Sequence, residues 1–268
     1  MSATFVTQEQ FDDIDTCMSF ISVGEREVRR FNTLLALPPN LGATPVPLAQ
    51  ILDGQKQAAL WRQRDYPGSY RSTHTILAEA VYFAHYLIPR LSALSSTNRT
   101  SPASIMSKIA PPPGPPPAFA FAPMTDCLQL FKYHMEWVIV AYGLAAYTQK
   151  NYDTMRENIA RVLPRVIDFT SFHLHTAEAK RPPVVGLNAA REFSASARRH
   201  YTFGMSGMAN LLGQQRRITT LLLDASQSFD GLEAFKSVVR FNAELAVIEV
   251  KLKQVQRYCS ELLALRNT

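Results

Sequence analysis

Apolar residues recur every three or four positions along this chain and strict alternation is nearly absent, so the pattern predicts helices and no sheet. Thr7-Gln8-Glu9-Gln10 has the form of a capping box, and Phe11, Ile14, Met18 and Ile21 follow at helical spacing. A polar patch from Glu25 to Arg30 leads into Phe31, Leu34 and Leu35, and Pro38-Pro39 ends that element. A short helix is expected over about 47–63, with Leu48, Ile51, Leu52 and Leu60 apolar, and another over about 73–94, kinked at Pro89. Further helices are expected over about 125–149, apolar nearly all round, and over about 154–172, bent near Pro164. A basic helix over about 187–212 should be interrupted at Gly204 and Gly207.

The cleanest pattern is the last, over about 232–266. Val238, Phe241, Leu245, Ile248, Leu252, Val255, Cys259 and Leu262 alternate spacings of three and four, an a/d seam. Such a seam packs either within its own domain or against another chain. The second reading makes Val238, Phe241, Leu245, Ile248, Leu252, Val255 and Leu262 oligomerisation residues. Residues 95–124 differ in kind: Ser and Thr dominate, then a proline run from Pro111 to Pro117 broken only by Gly114. That run predicts a polyproline II loop, a linker or a docking segment for an aromatic groove. The expected division is an N-terminal region 1–70, a helical core 71–212 carrying that loop, and a C-terminal helical region 213–268.

Charge changes the picture more than composition does. The net charge of +6 and 47% hydrophobic content describe a globular chain that favours an acidic partner. Between Lys180 and Arg217 stand seven basic residues and one acid, Glu192, which accounts for the whole net charge. On a helix, Arg191 and Arg198 fall seven residues apart on one face beside Arg199, and guanidinium forks match phosphate oxygens. Phe193, Tyr201 and Phe203 are interleaved with them and can stack on bases or turn into a core. Asp168, set between Ile167 and Phe169, is expected to need a cation or several N–H donors, with Arg161, Arg165 or an Arg of the basic helix as the candidate cations.

Catalytic signals are weak. No phosphate-binding Gly loop, HExxH, CxxC or Gly-x-Ser-x-Gly elbow occurs. His173 and His175 lack the further ligands a metal needs, and Ser194 and Ser196 have no base placed by spacing. The expectation is a non-enzyme with no cofactor and no metal. Cys17, Cys127 and Cys259, odd in number and far apart, read as reduced core thiols. The first thirty residues show no basic stretch followed by an apolar run, and no apolar stretch reaches membrane-spanning length, so the chain is expected to be soluble, intracellular and free of membrane.

Read in order, the middle of the chain resembles the coat proteins of flexuous filamentous plant and fungal RNA viruses, the potexvirus-like and potyvirus-like group. Leu128-Gln129-Leu130-Phe131 is similar to that family's Leu-Arg-Gln-Phe-like helix start, and Ile167-Asp168-Phe169 follows about forty residues later, like its Phe-Asp-Phe triplet. Pro182-Pro183-Val184-Val185-Gly186-Leu187 has nearly the form of its Pro-Pro-x-x-Gly-Leu turn, Asn188 to Arg199 of its Ala-rich helix, and Phe203-Gly204-Met205-Ser206-Gly207 of its Phe-Gly-x-x-Gly. The triplet begins with Ile, and Gln129 stands where the family has Arg, with Lys132 the nearest cation. The resemblance implies an all-α core with extended N- and C-terminal segments that grip neighbouring subunits in a helical filament. It further implies a groove for single-stranded RNA, in virions and host cytoplasm. The RNA-facing set would be Lys132, Asp168, Lys180, Arg181, Arg191, Ser194, Arg198 and Arg199, with Asp168 as the family's carboxylate.

Overall fold

The computed structural model describes residues 5–22, 24–38, 55–56, 58–59, 61, 86–87, 89–90, 101–111, 126–180, 185–232 and 237–265. Every regular element among them is a helix: α1 (Gln8–Ser22), α2 (Gly24–Leu34), α3 (Pro102–Met106), α4 (Cys127–Glu178), α5 (Leu187–Leu232) and α6 (Val238–Ala264). The chain is all-α in these residues, as the spacing predicts. Leu48, Ile51, Leu52 and Leu60, most of the helix expected over 73–94, and the proline run beyond Pro111 lie outside the described residues.

Two compact units form, each from two stretches of chain rather than from the consecutive regions 1–70, 71–212 and 213–268. The first joins residues 1–66 to 150–214; the second joins 67–149 to 215–268. Helices α4 and α5 each contribute one segment to either unit.

In the first unit α1 starts as its capping box dictates. The Thr7 Oγ1 accepts from the Gln10 N–H at 3.2 Å, and the Gln10 Oε1 accepts from the Thr7 N–H at 3.2 Å. Phe11, Ile14, Met18 and Ile21 are all buried. Val28, Phe31 and Leu35 from α2 and its end pack with Val162, Val166, Phe169 and Ala177 of α4 and Ala190 of α5. The α2 terminus is a Schellman turn: Leu37 N–H donates to the Asn32 carbonyl at 2.8 Å and Ala36 N–H to Thr33 at 3.2 Å. Ala36 takes the left-handed position, φ 51°.

Two expected interruptions, between 149 and 154 and at Gly204 and Gly207, are not interruptions, and the proline expected to bend its helix lies within it. The stretch between 149 and 154 is helical, with Tyr152 fully buried against Trp61, ring centroids 6.1 Å apart. Pro164 sits inside α4, and α5 runs through Gly204 and Gly207. Those two glycines are where α1 crosses α5. A Cβ on Gly204 would lie 2.5 Å from the Cys17 Cβ, and one on Gly207 would lie 2.5 Å from the Gln10 carbonyl oxygen. Glycine weakens an isolated helix, and here close burial against α1 overrides that cost.

In the second unit α6 buries its seam within the monomer. Val238, Phe241, Leu245, Ile248, Leu252, Val255, Cys259 and Leu262 are each at most 5% exposed. Phe131 of α4 meets Phe229 and Phe241 at ring distances of 5.6 and 5.7 Å. The oligomerisation role set out for Val238, Phe241, Leu245, Ile248, Leu252, Val255 and Leu262 is therefore corrected: a seam consumed by its own core offers nothing to a second chain. Within 95–124, residues 102–106 form α3 and not loop. Ser101 caps it by accepting from the Ser104 N–H, Pro102 stands in the first turn, and Ile105 and Met106 are buried.

Candidate nucleic-acid interface

The basic stretch forms one side of the α4–α5 hairpin in the first unit, and polar bridges fix its register. Arg191 Nε donates to Glu178 Oε1 at 2.8 Å, and Arg191 Nη1 to Asn188 Oδ1 at 3.2 Å. Thr170 and Ser194 hydroxyls meet at 3.3 Å in the buried seam between the helices. Arg198 Nη2 donates to Ser171 Oγ at 2.7 Å. That hydroxyl donates its own proton to the Ile167 carbonyl at 2.6 Å, so its lone pairs are turned to the guanidinium. Arg198 thus projects along the hairpin surface in one held orientation, and Arg199 stands exposed beside it.

The expected RNA-facing residues divide accordingly. Lys180, Arg198 and Arg199 are exposed cations of the first unit; Arg191 is exposed too, but its charge is shared with Glu178. Ser194 is corrected: at 4% exposure it belongs to the helix–helix seam, where a small hydroxyl satisfied by Thr170 lets α4 and α5 approach. Lys132 is exposed but lies in the second unit, as do the exposed Arg216 and Arg217. Arg181 lies outside the described residues.

Asp168 is exposed on the outer side of α4, and no salt bridge to it forms among the described residues. Its apolar neighbours in sequence mislead because one residue is about 100° of helix: Phe169 points into the core while Asp168 points to water. A solvated carboxylate needs no cation.

Of the interleaved aromatics, Phe193 turns inward, against Phe20 at 5.8 Å and Phe31 at 5.4 Å, whereas Phe203 is 51% exposed one turn after Arg199. Sequence reasoning missed Phe172, which is 67% exposed on α4. The signal was available: Arg161, Arg165, Asp168 and Phe172 recur at spacings of four, three and four, which is one helix face, and the first three are polar.

Sequence spacing left Ser196 without a base, and the structure supplies a neighbour: Ser196 Oγ lies 2.9 Å from His200 Nε2. Burial lowers the His200 pKa, Arg199 lowers it further, and Asp13 opposes both. Ser196 sits in mid-helix, where backbone N–H groups are bonded one turn back, so none converges on a developing oxyanion. The three cysteines are free and buried, as expected, and burial pushes the Cys17 and Cys259 thiols up to about 12. Such thiols stay protonated and are poor nucleophiles. Among the described residues no three His, Cys, Asp or Glu side chains gather as a metal would require, and no helix is long and apolar enough to cross a membrane.

No known family model, curated protein or solved structure matches the chain.

Proposed function

We propose that this chain is a coat protein of the flexuous-filament type, which polymerises along single-stranded RNA and holds it through the α4–α5 hairpin. The observation that carries the reading is the held row of exposed cations: Arg198 oriented by Ser171, with Arg199 beside it and Lys180 at the hairpin end. A row of this kind follows a phosphate backbone without reading bases, and the ordered motif series from Leu128 to Gly207 is what ties it to coat proteins. Self-contacts in such a polymer must use surfaces other than the α6 seam. A second reading, a cellular helical scaffold or adaptor dimerising through that seam, has less support, because the seam residues are covered within the monomer.

The test is a paired Arg198→Glu and Arg199→Glu variant. Neutralising phosphates releases counterions, so wild-type affinity for single-stranded RNA should fall steeply between roughly 50 and 200 mM salt, by about 0.7 log units per tenfold of salt per phosphate. The double variant should keep its helical content, with at most a small fall in melting temperature from the lost, exposed Arg198–Ser171 bond, while losing RNA binding and RNA-filled filaments in electron micrographs. Normal packaging by the variant would sink the assignment.

A further inference from the structure

The exposed ring of Phe172 stands apart from the row on α5. It follows Ser171, the residue that holds Arg198, and shares a face of α4 with Arg161, Arg165 and Asp168. We infer that Phe172 is a base-stacking platform for the RNA strand, with Arg161 and Arg165 taking the adjoining phosphates, so that α4 adds a second, aromatic subsite to the surface. This rests on the RNA-binding reading above.

Four observations support it. Phe172 is 67% exposed, the counterpart in the first unit of the exposed Tyr147 of the second, whereas Phe169 one turn before it is buried. A largely bare phenylalanine near the end of a helix costs apolar hydration with little packing in return, which favours a ligand that covers it. Its ring meets His173 in a T-shaped contact, centroids 5.1 Å apart and planes at 87°, which restricts its orientation. His173 is itself anchored on Phe169 at 4.5 Å, and burial lowers its pKa, which keeps the support neutral. On the same face stand Asp168, His175 and Thr176 one turn away, and Arg165 and Arg161 two and three turns away, with no large aliphatic among them.

The charge order along the face also suits a nucleotide strand. Arg165 and Phe172 are seven residues apart, about 10 Å along the axis. Asp168 lies between them and repels phosphate there. A strand crossing this face therefore sets its phosphates over Arg161 and Arg165 and a base over the ring. Stacking tolerates any base, because every base has a π-face, and it demands an unpaired one. The subsite thus favours single strands over duplex.

The experiment compares wild type with Phe172→Leu and Phe172→Trp by fluorescence anisotropy. Its probes are an unstructured RNA oligonucleotide, an abasic strand of equal length, and a duplex. Phe172→Leu should weaken binding of the base-bearing strand roughly 5- to 150-fold. The abasic affinity and the salt slope should stay as in wild type. Phe172→Trp should retain binding, and its emission should be quenched by the base-bearing strand over the background of Trp61 and Trp137. Equal binding by Phe172→Leu and wild type overturns the platform and leaves the arginine row standing. Reduced self-association of Phe172→Leu with unchanged RNA affinity reassigns the ring to a protein contact and also overturns it. A wild-type protein that binds none of the RNAs at low salt overturns both readings.

Discussion

A single backbone angle at Ala36 shows how local chemistry and global fold can disagree. The Schellman turn that ends α2 requires a left-handed residue, and helices usually place glycine there because a Cβ crowds the following carbonyl. Here it is alanine at φ 51°. Ala36→Gly should therefore stabilise the first unit by up to about 1 kcal/mol, read as a higher denaturant midpoint at unchanged slope. A loss of stability would mean the methyl group packs better than its exposure suggests. The same scale explains what could be read of the site. Arg198 and Arg199 stood out because a cation cluster on a helix has few interior uses. Ser194 misled because a hydroxyl is equally at home on phosphate or in a seam, and only Thr170 across the hairpin decides between them.

Helices were legible wherever their boundaries were chemical. The Thr7–Gln10 box, the Pro38 stop and the a/d spacing of α6 each mark an element that the structure contains, and Ser101-Pro102 carried the same start signal for α3 unnoticed. The errors lie where a residue has two uses. Gly204 and Gly207 weaken an isolated helix but here permit α1 to cross α5, information that resides in Gln10 and Cys17, not nearby in sequence. The two classes of glycine in α5 can be separated by substitution. Gly207→Ala should cost about 1–2 kcal/mol, the overlap with the Gln10 carbonyl outweighing the gain in helix propensity. Gly213→Ala, with nothing within 4 Å of the added methyl, should instead gain up to about 1 kcal/mol. Paired thermal melts check both, and equal shifts in one direction would refute the crossing.

Acid sensitivity is a property of the molecule as a whole, and its largest described contributor is His134 in the second unit. Burial lowers its pKa from 6.5 to about 4, because the imidazolium would lose its hydration there. His173 and His200 are shifted in the same direction. The unfolded chain then binds more protons than the folded one between those values. Stability should be full above about pH 6.5 and decline as pH falls towards 4, by roughly 3 kcal/mol from His134. Chemical denaturation across that range checks it, and His134→Gln should flatten much of the slope; an unchanged slope would assign the acid limb to other groups.

The division of the chain into two interleaved units has a consequence in time. The Val6 N–H finds its acceptor on Gln214, 208 residues later. At about 5–20 residues per second on the ribosome, α1 waits on the order of 10–40 s for the helix that covers it. During that interval α1 lacks the close-packed surface that Gly204 and Gly207 offer it, although Phe11 can already meet Trp61. Synthesis of this protein is therefore paced by its last third, and a nascent chain halted before α5 should be held by chaperones or aggregate, whatever its finished stability.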